Sequence, residues 1–392
     1  AASMVYSMVT TQHTTGTDNV LSLANPALLT GNVGKECAGV NPLRGQNNVQ
    51  GACDLGALPN VYPGYQKVAD ENVRAKFQDA WRSYLSPEPG LTVVEIMQAA
   101  ASKDVRGLYI MGENPMLSDP DINHVREALE TVDFLVVQDI VMTETSELAD
   151  VVLPATSFAE KDGTFTNTER RVQRVRKAVE PPGEAWEDRH ILCEVAHRMG
   201  YEMRYDDPSD IQREIARLTP LYGGITYDRI EEVGLQWPCT DEDHPGTRFL
   251  HQNRFSRGLG KFHPVEFLPP KELPDAEYPF VLTTGRMLEH WHTGTMSRRS
   301  EVLNDLVPTG FIEINPEDAS ALGAAEGETL RVSSRRGTIQ VPARITQRVA
   351  KGTVFLTFHF RENPANALTI AALDPVAKIP EFKACAVAVE KA

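Results

Sequence analysis

Cysteine is scarce and badly placed for metal chemistry: the five residues, Cys37, Cys53, Cys193, Cys239 and Cys385, include no Cys-x-x-Cys pair. That spacing argues against a zinc or iron–sulfur site built by this chain alone, and equally against a disulfide framework. Long apolar runs are missing too. None approaches the roughly 20 residues that span a bilayer, and residues 1–10 lack the basic stretch and apolar core of an export signal. Basic charge is in deficit, with 39 Lys and Arg against 54 Asp and Glu and a formal net charge of −15. A broad nucleic-acid surface is therefore disfavoured, because phosphates would be repelled. G-x-G-x-x-G after a strand, a P-loop, H-E-x-x-H and G-x-S-x-G are also absent, which sets aside several common activities. What remains is a globular balance, 41% hydrophobic and 24% charged, long enough for two or three domains. The chain starts without Met and enters the strand-like Met4-Val5-Tyr6 almost at once, which is compatible with a true N-terminus upstream. The expectation is a cytoplasmic protein with no membrane span and no nucleic-acid partner.

Residues 107–157 read as an alternating α/β unit. Residues 107–111, 133–137 and 150–153 are short apolar runs expected to be strands. Between them, Asp119-Pro120 offers a cap and a first helical Pro, with Val125, Leu129 and Val132 as the apolar face of a helix, and residues 143–148 form a second, short helix. Unbroken apolar strands joined by helical crossovers imply a parallel sheet covered on both faces. Ligands bind outside the carboxyl ends of such strands. Here those ends read Gly112-Glu113-Asn114-Pro115, Gln138-Asp139 and Pro154-Ala155-Thr156-Ser157, which serve equally well as ligand contacts or as ordinary loop caps.

A helix is expected over residues 19–29, capped by Thr17 or Asp18, stopped by Gly31 and bent at Pro26. The loop before it, Gln12-His13-Thr14-Thr15-Gly16, suits an anion received at a helix N-terminus. Between Cys37 and Gln66 periodicity disappears, and a structureless stretch of that length is usually functional or disordered. Helices follow over residues 185–199 and 209–218. The cluster from Glu169 to Lys177 carries four Arg and one Lys, and reads as a solvated face in preference to an anion site. From Tyr278 the pattern turns to β, with runs at 280–283, 311–314, 329–332, 338–341, 353–357 and 385–389 that suggest a small closed barrel.

The most informative stretch is Asn41-Pro42-Leu43-Arg44-Gly45-Gln46-Asn47-Asn48-Val49-Gln50-Gly51. It sets one Arg among amides and glycines, as a loop does when it brings a single fixed cation to a ligand. This stretch closely resembles the signature of formate dehydrogenase catalytic (alpha) subunits in the bis-molybdopterin guanine dinucleotide oxidoreductase (DMSO reductase) family. The resemblance continues through Thr11-Gln12-His13, Met111-Gly112-Glu113-Asn114-Pro115, Ala149-Asp150-Val151-Val152-Leu153-Pro154, Gly285-Arg286, His290-Trp291-His292 and Ile379-Pro380-Glu381-Phe382-Lys383. It implies an α/β fold in which parallel-sheet cofactor-binding domains are followed by a six-stranded double-psi β-barrel.

On that resemblance, Arg44 is the arginine that holds formate, a role suited to a planar guanidinium that donates two parallel, charge-assisted hydrogen bonds. By residue type alone it would be a surface ion pair. Gln12, Gln46, Asn114, Ser118, Gln138, Asp139 and Asp188 correspond to contacts with the pterin dinucleotides. Arg286, His290, His292, His359 and Lys383 fall in the barrel's cofactor loops. His290 and His292, two apart on an expected strand end, have no third metal ligand nearby in sequence, so pterin contact ranks above metal ligation, with a structural hydrogen bond close behind. Cys37 and Cys53 flank the arginine loop and read as small packing residues.

The departures from the family matter as much. Its four-iron cluster motif, its Sec or Cys metal ligand and the adjacent His lie upstream of Ala1, so this chain supplies no metal ligand and should not oxidise formate alone. The resemblance implies four segments: 1–46, the end of one α/β domain; 47–157, a Rossmann-like domain; 158–255, a helical connection; and 256–392, the barrel. It also implies a bis-molybdopterin guanine dinucleotide with molybdenum or tungsten, and formate and CO2 as reactants. The implied partners are the N-terminal half of the catalytic subunit and an iron–sulfur electron-transfer subunit. Two alternatives stay open: a non-catalytic scaffold subunit of a redox complex, and another oxidoreductase of the family such as a nitrate reductase.

Overall fold

The computed structural model describes residues 1–392. They divide into two units interleaved along the chain: Ala1–Ser7, Leu23–Thr92 and Leu153–His263 in the first, and Met8–Ser22, Val93–Val152 and Pro264–Ala392 in the second.

The first unit opens with a two-stranded parallel ladder, Ser3–Tyr6 on Gly39–Pro42. Leu43 N–H then donates to Tyr6 O at 2.8 Å, so the chain leaves the ladder at a fixed point and Arg44 follows directly. The segment 37–66, expected to be structureless, is instead built from Gly39–Pro42, the helix Val49–Asp54 and a small hairpin of Val61–Tyr62 with Gln66–Lys67. Each piece is too short to display an apolar period, which is why the pattern is invisible in sequence. Gly51 lies against Asn48, where a Cβ would come within 2.2 Å of Oδ1. That same Oδ1 accepts from Thr166 N–H at 2.9 Å. The bond ties the helix to an antiparallel sheet of Gly163–Thr166, Arg171–Val175 and Leu235–Gln236, whose core is Val172, Tyr222, Ile225, Ile230 and Trp237. The basic cluster runs along the middle strand, with Arg174 and Arg176 paired to Glu231 at 2.8 and 2.7 Å and Arg171 to Glu169 at 3.1 Å. Its charge is answered by the protein's own carboxylates. The two later helices, Asp188–Arg198 and Pro208–Leu218, lie close to their expected ranges.

In the second unit, Gly107–Met111, Phe134–Asp139 and Val151–Pro154 form a sheet in that order, with Gly107 opposite Phe134 in a parallel pair. The helices Val93–Ala101 and Ile122–Thr131 pack Met97, Ala100, Val125 and Leu129 against Leu108, Ile110, Leu135 and Val137. The other face is open, with Tyr109, Met111, Phe134 and Val151 between 37% and 51% exposed. A sheet covered on both faces was expected. Successive strand residues point to opposite sides, and this chain lays helices on one side only. The crossover also begins differently: Pro115, not Pro120, takes a first helical position, in the short helix Pro115–Ser118. Ile122–Thr131 then starts after Asp121, which is left-handed at φ 53. The expected helix over 143–148 is a single turn, Ser146–Leu148.

Helix Gly16–Leu29 starts three residues earlier than expected, contains Pro26 and ends before Gly31 at φ 63. All six expected β runs are strands and close a barrel in the order Phe280–Gly285, Thr353–Thr357, Ile312–Ile314, Thr338–Ile345, Thr329–Ser333 and Cys385–Lys391. The first two are parallel, as are Ile312–Ile314 and Thr338–Ile345, and the remaining ladders are antiparallel. Alternate residues of every strand fill the interior, including Leu282, Ile312, Ile314, Leu330, Val332, Val341, Val354, Leu356 and Val387.

Candidate functional site

Arg44 sits just past the ladder Ser3–Tyr6/Gly39–Pro42 and is exposed. Its Nε donates to Gln50 Oε1 at 3.1 Å. Both Nη atoms make no hydrogen bond or ion pair within the chain. The guanidinium is thus held by one nitrogen and presents the other two, the geometry that receives a planar carboxylate in a two-point grip. Its charge reaches Tyr6 and Cys53, whose pKa values burial raises and the guanidinium partly lowers. Gln46, two residues on, makes no side-chain hydrogen bond inside the chain and is half-buried. Cys53 is half-buried beside this loop, whereas Cys37, expected to be a packing residue, is exposed in a turn at φ 57.

Arg286 follows directly on the first barrel strand and begins the loop 286–296. His290 and His292 lie in this loop and not on a strand end. His359 organises the loop. Its Nε2 accepts from Met287 N–H at 3.0 Å, which leaves the proton on Nδ1, donated to His292 O. Burial, reinforced by repulsion from nearby Arg286, pushes the pKa of His292 down to about 4; for His359 burial outweighs the bond to His292 O and, with the charges of His290 and Arg286, also gives about 4, so both rings are neutral. His290 is 2% exposed and bonded at both nitrogens, to Val307 O at 2.7 Å and Ser297 Oγ at 3.3 Å. It therefore holds the loop in place. Lys383 donates to Thr284 O at 2.6 Å, and burial followed by Arg286's charge lowers its pKa to about 8. The guanidinium of Arg286 stacks 4.9 Å from the Trp291 ring, and its buried Nε has no partner. Thr357 Oγ1, equally buried and unpaired, belongs to the strand residue facing Gly285.

At the tips of the parallel sheet, Asn114 is 4% exposed and bonded at both ends of its amide. Its amide donates to Glu144 Oε2 at 2.8 Å, and its carbonyl accepts from Thr145 Oγ1 at 2.7 Å. Gln138 accepts from the Tyr109 hydroxyl at 2.5 Å, and Asp139 accepts from Ile140 N–H at 2.7 Å. Ser118 donates to Asp119 Oδ1 at 2.9 Å and to Glu113 Oε2 at 3.3 Å. Asp119, read from sequence as a helix cap, is 7% exposed with Oδ2 buried and unpaired. Burial raises its pKa to about 7; the Ser118 bond opposes this and the Glu113 charge adds to it. A polar cleft of about 340 Å³ lies in the same unit, lined by Glu144, Thr293, Arg298, Arg299, His359 and Arg361 among others. It brings the sheet-tip loop and the barrel loop to one place.

Gln12 reaches only Met8 Sδ, at 3.7 Å. The loop after it already holds two anions of the protein itself: Glu381 accepts from Thr14, and Asp374 accepts from Thr17 N–H at 2.8 Å and its hydroxyl at 2.7 Å. This corrects the expectation of a ligand anion there, and it accounts for the earlier helix start. Asp188, in the first unit, pairs with Lys161.

These residues fit a polyanionic dinucleotide. Arg286 and Thr357 offer unpaired buried donors, with the Lys383 cation close to Arg286, and an unpaired acceptor at Asp119 suits purine or ribose donors. Asp119, Thr357, Gln50 and Asp54 were not named as site residues from the sequence. Only the i, i+4 spacing of Gln50 and Asp54 behind Arg44 was a visible signal.

Comparison with known proteins identifies the family. The molybdopterin oxidoreductase profile matches residues 1–198, and the molydopterin dinucleotide binding domain profile matches residues 280–386. The F420-dependent formate dehydrogenase subunit alpha of Methanocaldococcus jannaschii is 55% identical over 394 residues, covering 100% of this chain and 58% of that protein. Formate dehydrogenase H of Escherichia coli is 42% identical over 397 residues, covering 100% of this chain and 56% of that protein. Among solved structures, acetylene hydratase from Pelobacter acetylenicus shares the fold at a TM-score of 0.62 and 18% identity, over 82% of this chain and 50% of that one. The chain thus spans somewhat over half the length of these two formate dehydrogenases.

Proposed function

This chain belongs to the molybdopterin oxidoreductase family, and from that premise we propose that it is the substrate-arginine and dinucleotide-binding part of a formate dehydrogenase. The observation that carries the reading is the guanidinium of Arg44, tethered at Nε to Gln50 with both Nη atoms presented. Formate is a planar carboxylate, and a rigid fork of two N–H donors orients it in a way that a point charge does not. Oxidation of formate yields carbon dioxide, a proton and two electrons. A bound bis-molybdopterin guanine dinucleotide with molybdenum or tungsten supplies the redox chemistry. The chain's residues bind and orient.

In this reading Arg286, Lys383 and Thr357 hold anionic and polar atoms of one dinucleotide, with His292 a neutral contact beside them. Asp119, Asp139, Gln138 and Ser118 meet ribose or base donors at the sheet tips, and Gln12 and Gln46 complete the set. His290, His359 and Asn114 keep the loops in register. Asp188, paired with Lys161, stays a proposed contact. The partners proposed are the N-terminal half of the catalytic subunit, which would cover the apolar face of Tyr109, Met111, Phe134 and Val151, and an iron–sulfur protein that takes the electrons.

The test is Arg44→Lys in the full-length enzyme, with turnover measured per bound metal. Lys retains the charge without the planar grip, so metal and pterin content should stay at the parent level while turnover per metal falls by roughly a hundredfold. A loss of cofactor in proportion to activity, or unchanged turnover per metal, would sink the assignment.

A further inference from the structure

Asp54 is 0% exposed and accepts four hydrogen bonds. Gln50 Nε2 and the Tyr65 hydroxyl reach Oδ1, each at 2.7 Å. The Tyr222 hydroxyl and Trp237 Nε1 reach Oδ2, at 2.8 and 2.6 Å. Every donor is neutral, and together they leave the carboxylate no freedom to turn. The consequence falls on Gln50, itself 5% exposed. Because Asp54 can only accept, the amide of Gln50 must present its NH2 end inward, where it also meets the Tyr65 hydroxyl at 3.2 Å. Its carbonyl end is then forced outward, onto Arg44 Nε. Helix Val49–Asp54 makes this possible by placing Gln50 and Asp54 one turn apart on the same face.

We propose that Asp54 and Gln50 are positioning residues for the substrate: Asp54 orients the Gln50 amide, and Gln50 sets the rotation of the Arg44 guanidinium so that its two Nη atoms meet a carboxylate together. The inference rests on the reading of Arg44 as the formate-binding arginine. A purely architectural role for Asp54 would require the tyrosine and tryptophan donors but not the outward-facing carbonyl of Gln50. That carbonyl is the part tied to the site. An acceptor on Nε also leaves the Nη pair as the remaining fork, which selects a small carboxylate approaching end-on.

Asp54→Asn would turn an amide donor against two existing donors and endanger the fold, so the decisive variant is Gln50→Met in the full-length enzyme. It keeps the side-chain volume and removes the link to Arg44. Three quantities are read: metal and pterin content with the melting temperature; KM and kcat for formate per bound metal; and the formate concentration that half-protects Arg44 from phenylglyoxal, followed by mass spectrometry. We expect parent-like cofactor content and melting, with KM and the half-protecting concentration raised roughly tenfold or more. Unchanged KM and protection in Gln50→Met, alongside an inactive Arg44→Lys enzyme, overturn this inference alone. Arg44 left unprotected by formate in the parent enzyme overturns both this inference and the reading beneath it.

Discussion

Glu381 accepts hydrogen bonds from both the backbone N–H and the hydroxyl of Thr14, each at 3.2 Å, across 367 residues of sequence. Its other oxygen accepts from Lys271 N–H at 2.8 Å, and His13 Nδ1 lies 3.7 Å away. One buried carboxylate therefore joins the segment before the barrel, the segment leading into its last strand and the loop leading into helix Gly16–Leu29. Burial alone would raise its pKa. The nearby His13 and the bonds from Lys271 and Thr14 outweigh burial and hold it below the usual range. A depressed carboxyl stabilises the fold above its unfolded pKa, and the contribution is lost as pH falls through the folded one. Glu381→Gln should cost roughly 1.5–3 kcal/mol at neutral pH, and the difference from the parent should shrink in acid. Denaturant titrations at pH 7 and in strong acid check both statements.

Lys383 is predicted to be a strained cation when no dinucleotide is bound. Its folded pKa of about 8 lies below the ordinary 10.5. Between these values the unfolded chain carries the extra proton, so stability rises with pH through that window and the destabilisation is complete below it. Lys383→Met should raise the stability of the cofactor-free protein at pH 7 by on the order of 1–3 kcal/mol, abolish the alkaline slope and weaken dinucleotide retention. A variant that melts lower than the parent would refute the assignment of strain.

Asp119 should show the opposite slope. Its folded pKa of about 7 lies above the ordinary 3.8, so the native state holds the extra proton between them. Stability falls as pH rises through that window and the loss is complete above about 7. In the cofactor-free protein, Asp119→Asn should remove this slope and gain on the order of 1–3 kcal/mol at pH 8 while changing little at acid pH. Urea midpoints at pH 4 and pH 8 decide it, and equal parent midpoints at the two values would count against a strained carboxyl.

Much of this protein was written locally. The arginine loop is a contiguous run from Asn41 to Gly51, and each of the six barrel strands announced itself by an apolar run between turn residues, because strand formation and loop chemistry depend on neighbours in sequence. The family and the barrel were legible for that reason. Tertiary structure alone decided which polar groups would answer one another. Asp54 draws donors from Tyr222 and Trp237, 168 and 183 residues away, and the anion at the loop before Gly16 proved to be the protein's own Glu381 and Asp374. The same holds for Asp119, which reads as a helix cap in sequence and becomes a buried, half-unpaired acid because the helix starts at Ile122, after Asp121, instead. A hydrogen bond satisfied from across the fold leaves no period and no local spacing behind. Burial, which sets the pKa values of Asp119, His359 and Lys383, is a property of the packed molecule and not of any segment.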